Sequence, residues 1–289
     1  MNILMVTPGI DPNNDVFGSI YTMMSRLATK VDNLFIITLR PAQDVPANVK
    51  VIGIKPGSTF SKYMQLNKAI YSVLRKEKVD VIFTHMYLEF PIAAWPYAKL
   101  FRKPFATWYE HSSTPLKLKI VTKMIDKIFS ASRHGYRLKS KKSIILGQYF
   151  DEFLFKPAAR KDSNELLSVS RISRSKNIHA IINTLAKLND KKLKFTIVGG
   201  ALDEPGRAYL QELKDLVKNL GMEKNVDFVG HVHHKDVAKY YARASIFINT
   251  SRTGSLDRTG IEAMGSGMIL LASNPAYTEV LADYKDRGR

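Results

Sequence analysis

Short apolar runs punctuate this chain, and between them apolar residues recur every three or four positions. The runs read as strands buried on both faces of a parallel sheet, and the periodic stretches as helices packed on it. In the first half the runs are 2–7, 34–39, 49–54, 79–84, 104–108 and 143–146, and the helical stretches are 19–30, 63–78, 88–101 and 115–129. Ser19 is placed to cap the first of these helices. In the second half the runs are 166–170, 195–198, 226–229, 244–249 and 268–272, with helices at 178–188, 209–220 and 237–243 and another starting near Leu256. Gly221 closes the helix before it. The polar stretch 158–164 separates the halves. The pattern predicts an α/β protein of two doubly wound domains in series, 1–159 and 160–289, with a crevice between them as the natural place to bury a substrate.

Composition agrees with this division. A chain of 289 residues fits two domains, each of roughly 150 residues, and 45% hydrophobic content fills two ordinary cores. There is no cysteine, which excludes disulfides and thiolate chemistry and is compatible with the cytoplasm. No apolar run approaches the roughly 18 residues of a membrane span. The start, Met1 to Gly9, lacks the basic residues of a signal peptide and reads as a buried strand. Net charge is +18, unevenly placed: residues 1–160 carry 24 Lys+Arg against 11 Asp+Glu, and 161–289 carry 20 against 15. The first half is thus the one suited to anionic lipid, nucleic acid or a polyanionic substrate. Its basic residues are scattered over helices without aromatic interleaving, so nucleic acid is not expected as the partner.

In doubly wound sheets, ligands sit beyond the C-terminal ends of the strands, so chemistry is sought there. Gly254 and Ser255 follow the strand 244–249 and offer backbone N–H groups where a helix begins, an arrangement suited to a diphosphate. Glu262, one to two turns further on, can accept hydrogen bonds from the hydroxyls of a ribose, or it is a solvated helix glutamate. Arg171 and Lys176 lie in the loop after the strand 166–170. They are either solvated loop cations or, with the helix start, a clamp that neutralises a departing diphosphate as its bond to a sugar breaks. In the first half, His85 and His111 stand at the ends of two strands, with Glu110 beside His111 as a polar contact or an ion-pair partner for a lysine. The loop before Gly18 lacks G-x-G-x-x-G, so the dinucleotide fingerprint is absent. His231, His233 and His234 have too little carboxylate support for a zinc site. On the helix expected at 115–129, Lys119, Lys123 and Lys127 share a face beside an apolar row, which reads as a surface helix or as a contact with an anionic membrane.

Several segments together resemble one family. Ser168 to Asn177 resembles a strand–G-R–loop–E-K-G segment, Phe195 to Gly200 a V-I-V-G-x-G strand, and Ile261 to Gly267 (Ile-Glu-Ala-Met-Gly-Ser-Gly) an L-E-A-M-A-x-G helix. Nearly the whole chain is similar to the retaining, nucleotide-sugar-dependent glycosyltransferases of the GT-B fold, in the bacterial group called glycosyl transferases group 1. The resemblance implies two Rossmann-like domains facing across a crevice. It places Arg171 and Lys176 on the diphosphate-binding pair, Glu262 on the ribose-binding glutamate, His111 near the donor sugar as the catalytic candidate, and Gly18, with His85 and Glu110, in the acceptor and donor loops. Ser170, Ser175 and Asn177 replace a glycine, a glutamate and a glycine. The family's first glutamate, eight positions before Glu262, falls on Gly254, so the backbone of Gly254, Ser255 and Leu256 would carry more of the donor contact. The family continues for roughly a hundred residues past this point, a domain-sized estimate, so the second domain is expected to be incomplete.

The reaction implied is transfer of a hexosyl group, with retention, from a nucleoside diphosphate sugar to a hydroxyl of a glycan or lipid-linked acceptor in cell-surface glycan or glycolipid synthesis. No metal or other cofactor is expected, and the enzyme would be cytoplasmic, peripheral at the inner face of a membrane. Competing expectations are a truncated, non-catalytic nucleotide- or polyanion-binding protein, a nucleic-acid-binding protein, and another GT-B enzyme such as a nucleotide-sugar epimerase.

Overall fold

The structure, a computed structural model, describes residues 1–282 apart from 13, 15–16 and 160–161. It divides into two compact units, Met1–Gly147 and Gln148–Arg289.

The first unit holds seven parallel strands: β1 (Asn2–Thr7), β2 (Asn33–Thr38), β3 (Val49–Gly53), β4 (Val81–His85), β5 (Phe105–Trp108), β6 (Lys127–Ser130) and β7 (Ser143–Ile145). Their order across the sheet is β3-β2-β1-β4-β5-β6-β7. The apolar run of β1 is continuous because both faces are covered. Alternate residues serve opposite cores: Leu4 and Val6 join the core under α2 (Thr59–Lys76), α3 (Glu89–Leu100) and α4 (Leu116–Met124), while Ile3 and Met5 join the core under α1 (Gly18–Ala28).

The second unit repeats the plan with five parallel strands: β8 (Asp162–Val169), β9 (Lys194–Val198), β10 (Val226–Gly230), β11 (Ala244–Asn249) and β12 (Ile269–Ala272), in the order β10-β9-β8-β11-β12. Helices α5 (Ile178–Leu188) and α6 (Glu204–Asn219) cover one face. Helices α7 (His234–Arg243) and α8 (Arg258–Gly265) cover the other, and α9 (Tyr277–Ala282) follows. Gly221, just past α6, has φ 63° and supplies the left-handed turn expected of it.

The structure corrects three expectations. Ser19 does not cap α1: the helix begins at Gly18 with Phe17 at its cap, and Ser19 is buried inside it. The helix expected over 115–129 is α4 and a strand. Lys142 Nζ donates to the carbonyls of Thr122, Lys123 and Ile125 (3.0, 3.0 and 2.6 Å), so a cation 17 to 20 residues away caps the helix C-terminus. Asp126 then ties the chain to β5, its N–H on Phe105 O and its carboxylate on Phe105 N–H (both 2.8 Å), and β6 follows. The unit boundary also lies earlier than the polar stretch 158–164. Phe155 is 2% exposed and packs edge-on against Tyr241 and His234, so the segment from Gln148 onward belongs to the second core.

Candidate functional site

In the second unit the strand order reverses between β8 and β11, and ligands bind beyond the strand ends at such a switch point. The loop after β8 carries Arg171, Arg174 and Lys176, and the loop after β11 carries residues 250–257. Hydrogen bonds to the first loop's carbonyls join the two: Arg252 N–H donates to Ser175 O (2.8 Å), and the Thr250 hydroxyl Oγ1 donates to Lys176 O and Asn177 O (2.9 and 3.2 Å). Asn177 has φ 56°, so it holds a left-handed turn that asparagine tolerates, which accounts for its standing where the resembling segment has glycine.

Of the two cations expected to clamp a diphosphate, Lys176 is turned toward the loop after β11 and Arg171 is not held by a carboxylate among the described residues. Lys176 Nζ reaches the start of α8, lying 2.9 and 3.0 Å from the two carboxylate oxygens of Asp257 and 3.4 Å from Ser251 Oγ. Asn249 Nδ2 donates to the same carboxylate at 3.0 Å. Both charged partners are largely buried, with side chains 12% and 16% exposed. Arg171 is exposed on the same loop and has no carboxylate partner among the described residues. Arg174 instead pairs with Glu212 at 2.5 and 2.8 Å and lies over the ring of Tyr209.

Gly254 is buried with φ 72°, the left-handed conformation that lets the loop turn into α8. Its N–H and that of Ser255 make no hydrogen bond among the described residues. Leu256 is buried, and its carbonyl accepts from Gln148 Nε2 at 3.2 Å. Asp257 stands at the cap position of α8 and its side chain makes no bond to the helix N–H groups, while Tyr277 Oη faces the backbone N–H of Gly260 in the first turn. Hydroxyls of Ser251, Thr253 and Ser255 form a chain at 3.0 and 3.2 Å along the loop. Tyr277 Oη donates to Asp257 O at 2.5 Å, and burial, then the Asp257 charge, push its pKa up.

Glu262 is 3% exposed and therefore not a solvated helix residue. Tyr241 Oη donates to its Oε2 at 3.1 Å, and His234 Nε2 lies 3.4 Å from Oε1. Burial, then the Glu262 carboxylate, raise the Tyr241 pKa and keep the phenol a donor. Arg258, one turn earlier on α8, faces the same charge. Its Nε is buried without a hydrogen-bond partner, and burial lowers its pKa against the raising effect of Glu262. Tyr241, Asp257 and Asn249 were not singled out by sequence. Asp257 had a signal, an acid in front of a helix start.

The first unit has its own switch point, between β1 and β4. His85 ends β4 there, 7% exposed, with Nδ1 3.4 Å from Thr7 Oγ1 at the end of β1. His111 is exposed beyond β5, and its Nδ1 lies 3.1 Å from Ser113 N–H and 2.9 Å from Ser113 Oγ. Because Nδ1 accepts that backbone N–H, the neutral ring carries its proton on Nε2. Glu110 is 9% exposed and turned inward, accepting from Ser130 Oγ and Ala131 N–H (both 2.7 Å) and Ser132 Oγ (3.3 Å). Its carboxylate holds the turn after β6. Gly18 opens α1 and donates its N–H to Asn14 O at 2.7 Å. Lys119 and Lys123 lie on α4, whereas Lys127 begins β6, so the three do not share a helix face. Among the described residues no group of three histidine or acidic side chains is disposed to hold a metal ion, and the rings of His231 and His233 simply meet edge to face at 5.1 Å.

Residues 150–288 match the model of the family described as glycosyl transferases group 1. They belong to that family. Within this group 1 region lie β8 to β12, the start of α8 and Glu262. The chain is 34% identical over 121 residues to the alpha-monoglucosyldiacylglycerol synthase of Streptococcus pneumoniae, an alignment covering 41% of this chain and 26% of that protein. It is 32% identical over 106 residues to the mannosylfructose-phosphate synthase of Agrobacterium fabrum, covering 35% of this chain and 23% of that protein. The chain thus spans about a quarter of the length of these curated relatives. Among solved structures it resembles the sucrose-phosphate synthase of Thermosynechococcus elongatus (TM-score 0.79, 18% identity, 97% of this chain and 83% of that one). It also resembles the HepE protein of Anabaena in complex with UDP and glucose (TM-score 0.73, 17% identity, 94% and 80%). These likenesses establish the GT-B fold. No helix among the described residues is long and apolar enough to cross a membrane.

Proposed function

We propose that this chain is a glycosyltransferase that moves a hexosyl group from a nucleoside diphosphate sugar to an acceptor hydroxyl with retention, in the synthesis of a cell-surface glycan or glycolipid. The observation that carries the reading is the meeting of Lys176 with the loop that leads into α8 at the switch point of a group 1 domain. A cation on one side of a loop whose Gly254 and Ser255 N–H groups make no hydrogen bond among the described residues would stabilise the negative charge that grows on a diphosphate as the glycosidic bond breaks. Relatives whose names specify glucosyl and mannosyl products support a hexosyl donor, and the UDP in the HepE complex supports a nucleotide as part of that donor.

In this reading Lys176 and Arg171 hold the diphosphate together with the N–H groups of Gly254, Ser255 and Leu256. Glu262, fixed by Tyr241, receives ribose hydroxyls. His111 contacts the donor sugar through Nε2–H, and no metal is required. The acceptor is a glycan or lipid-linked hydroxyl, and the enzyme works in the cytoplasm. A second reading, a nucleotide-binding protein without transfer, draws support from Gly254 in place of a carboxylate.

A thermal-shift panel of UDP, GDP and ADP against the wild type and Glu262→Ala tests the donor site. One nucleotide is expected to raise the melting temperature in the wild type and not in the variant, because only the native state binds it. No shift with any of them would exclude the site. Donor hydrolysis or transfer, lost in His111→Ala with nucleotide binding retained, separates the enzyme from the binding protein.

A further inference from the structure

The basic, apolar face that the sequence placed on a single helix is rebuilt by the fold from two helices. Helices α2, α3 and α4 lie side by side on one face of the first sheet, each starting at the C-terminal ends of the strands. Lys117 of α4 pairs with Glu89 of α3 at 2.5 Å, which fixes their first turns together. On this rim α2 exposes Phe60 (74%), Met64 (53%) and Tyr63 (43%), and α4 exposes Leu116 (72%) and Ile120 (46%). Tyr87, just before α3, is exposed between them. Two interhelix spacings of 8–10 Å make the rim about 20 Å wide.

Charge singles out the occupant. Residues 55–76 contain five lysines and arginines and no acid, and residues 111–125 contain three lysines and no acid. Lys62, Lys68, Lys119 and Lys123 are exposed and have no carboxylate partner among the described residues. Large apolar side chains set among unpaired lysines match a layer with anionic headgroups above hydrocarbon: the rings and methyls enter the interface while the lysines reach back to phosphate. We propose that the first unit docks on an anionic lipid surface through the N-terminal turns of α2 and α4. This inference stands independently of the transfer reaction.

The test is co-sedimentation of the full chain with vesicles of phosphatidylcholine alone and of equal parts phosphatidylcholine and phosphatidylglycerol. The wild type is expected to pellet with the second and not the first. Replacing Lys62, Lys119 and Lys123 by alanine is expected to weaken binding by about fivefold per lysine. Phe60→Ser with Met64→Ser should weaken it by roughly tenfold or more, given the apolar area withdrawn. Leu100→Ser, which removes an equally exposed leucine at the opposite end of α3, should leave binding intact. All these positions are on the surface, and an unchanged melting curve checks that each variant is folded. The proposal is overturned if the wild type ignores the anionic vesicles. It is equally overturned if Phe60→Ser with Met64→Ser binds like the wild type, which would mean adsorption by net charge, or if Leu100→Ser is as damaging as the rim variants.

Discussion

Lys176 and Asp257, 81 residues apart, hold each other through both oxygens of the carboxylate, at 2.9 and 3.0 Å. The cation proposed to bind a diphosphate therefore carries an internal anion, and a phosphate must compete with it. Asp257 makes no capping bond to α8, so its loss removes a competitor without removing a cap. Asp257→Asn is expected to bind the preferred nucleoside diphosphate about threefold to tenfold more tightly, and Lys176→Ala about tenfold or more weakly, the loss of a charge-assisted hydrogen bond. Titration calorimetry reads both. A weakening in both variants would mean that the pair serves only to join the two loops.

Tyr241 and Tyr277 predict how stability responds to alkali. Burial raises both pKa values, with the charge of Glu262 adding to it at Tyr241 and that of Asp257 at Tyr277. Below the ordinary tyrosine value of about 10, both states of the chain keep the protons and the phenols contribute no pH dependence. Above it the unfolded chain releases protons that the native state retains, so stability falls as pH rises. Each phenol is expected to steepen the loss by up to about 1.4 kcal/mol per pH unit. Urea midpoints measured from about pH 8 to about pH 11, a range spanning the ordinary phenol value, should decline less steeply in Tyr277→Phe.

Removing the Tyr241 hydroxyl strips the buried Glu262 of a donor at 3.1 Å. Tyr241→Phe should cost about 1–3 kcal/mol of unfolding free energy, the penalty for an under-satisfied buried acceptor. It should also weaken nucleotide binding, because the carboxylate is no longer fixed. A variant with wild-type stability and affinity would show that Glu262 is held by other means.

Gly260 sits where a Cβ would meet Tyr277 Oη at 2.2 Å. Gly260→Ala should push that ring off the Asp257 carbonyl and cost about 1–3 kcal/mol, the usual range for overpacking. The check is thermal melting alongside nucleotide binding, and both are expected to fall.

Phe155 anchors the segment from Gln148 in the second core, against Tyr241 and His234. Phe155→Ala should destabilise the second unit by about 3–5 kcal/mol and leave the first unit's own core untouched. Calorimetry should show one transition lowered and the other unmoved.

The sequence by itself determined the alternation of strands and helices, the two doubly wound units, and the turn from Gly254 into the helix of Glu262. These follow from period, from a continuous apolar run, and from glycine's freedom at positive φ, all properties of one segment. Only the tertiary structure decided that Lys176 meets Asp257, that Tyr241 fixes Glu262, that Glu110 turns inward to the loop after β6, and that the second unit begins before Phe155. It also decided that α4 ends at Met124, because the carbonyls there are satisfied by Lys142 from a later part of the chain. A helical period running through Ile128 carried no sign of that cap. Period and propensity act along the chain, whereas a carboxylate, a cation or a buried ring takes its role from whichever partner the packed fold brings beside it.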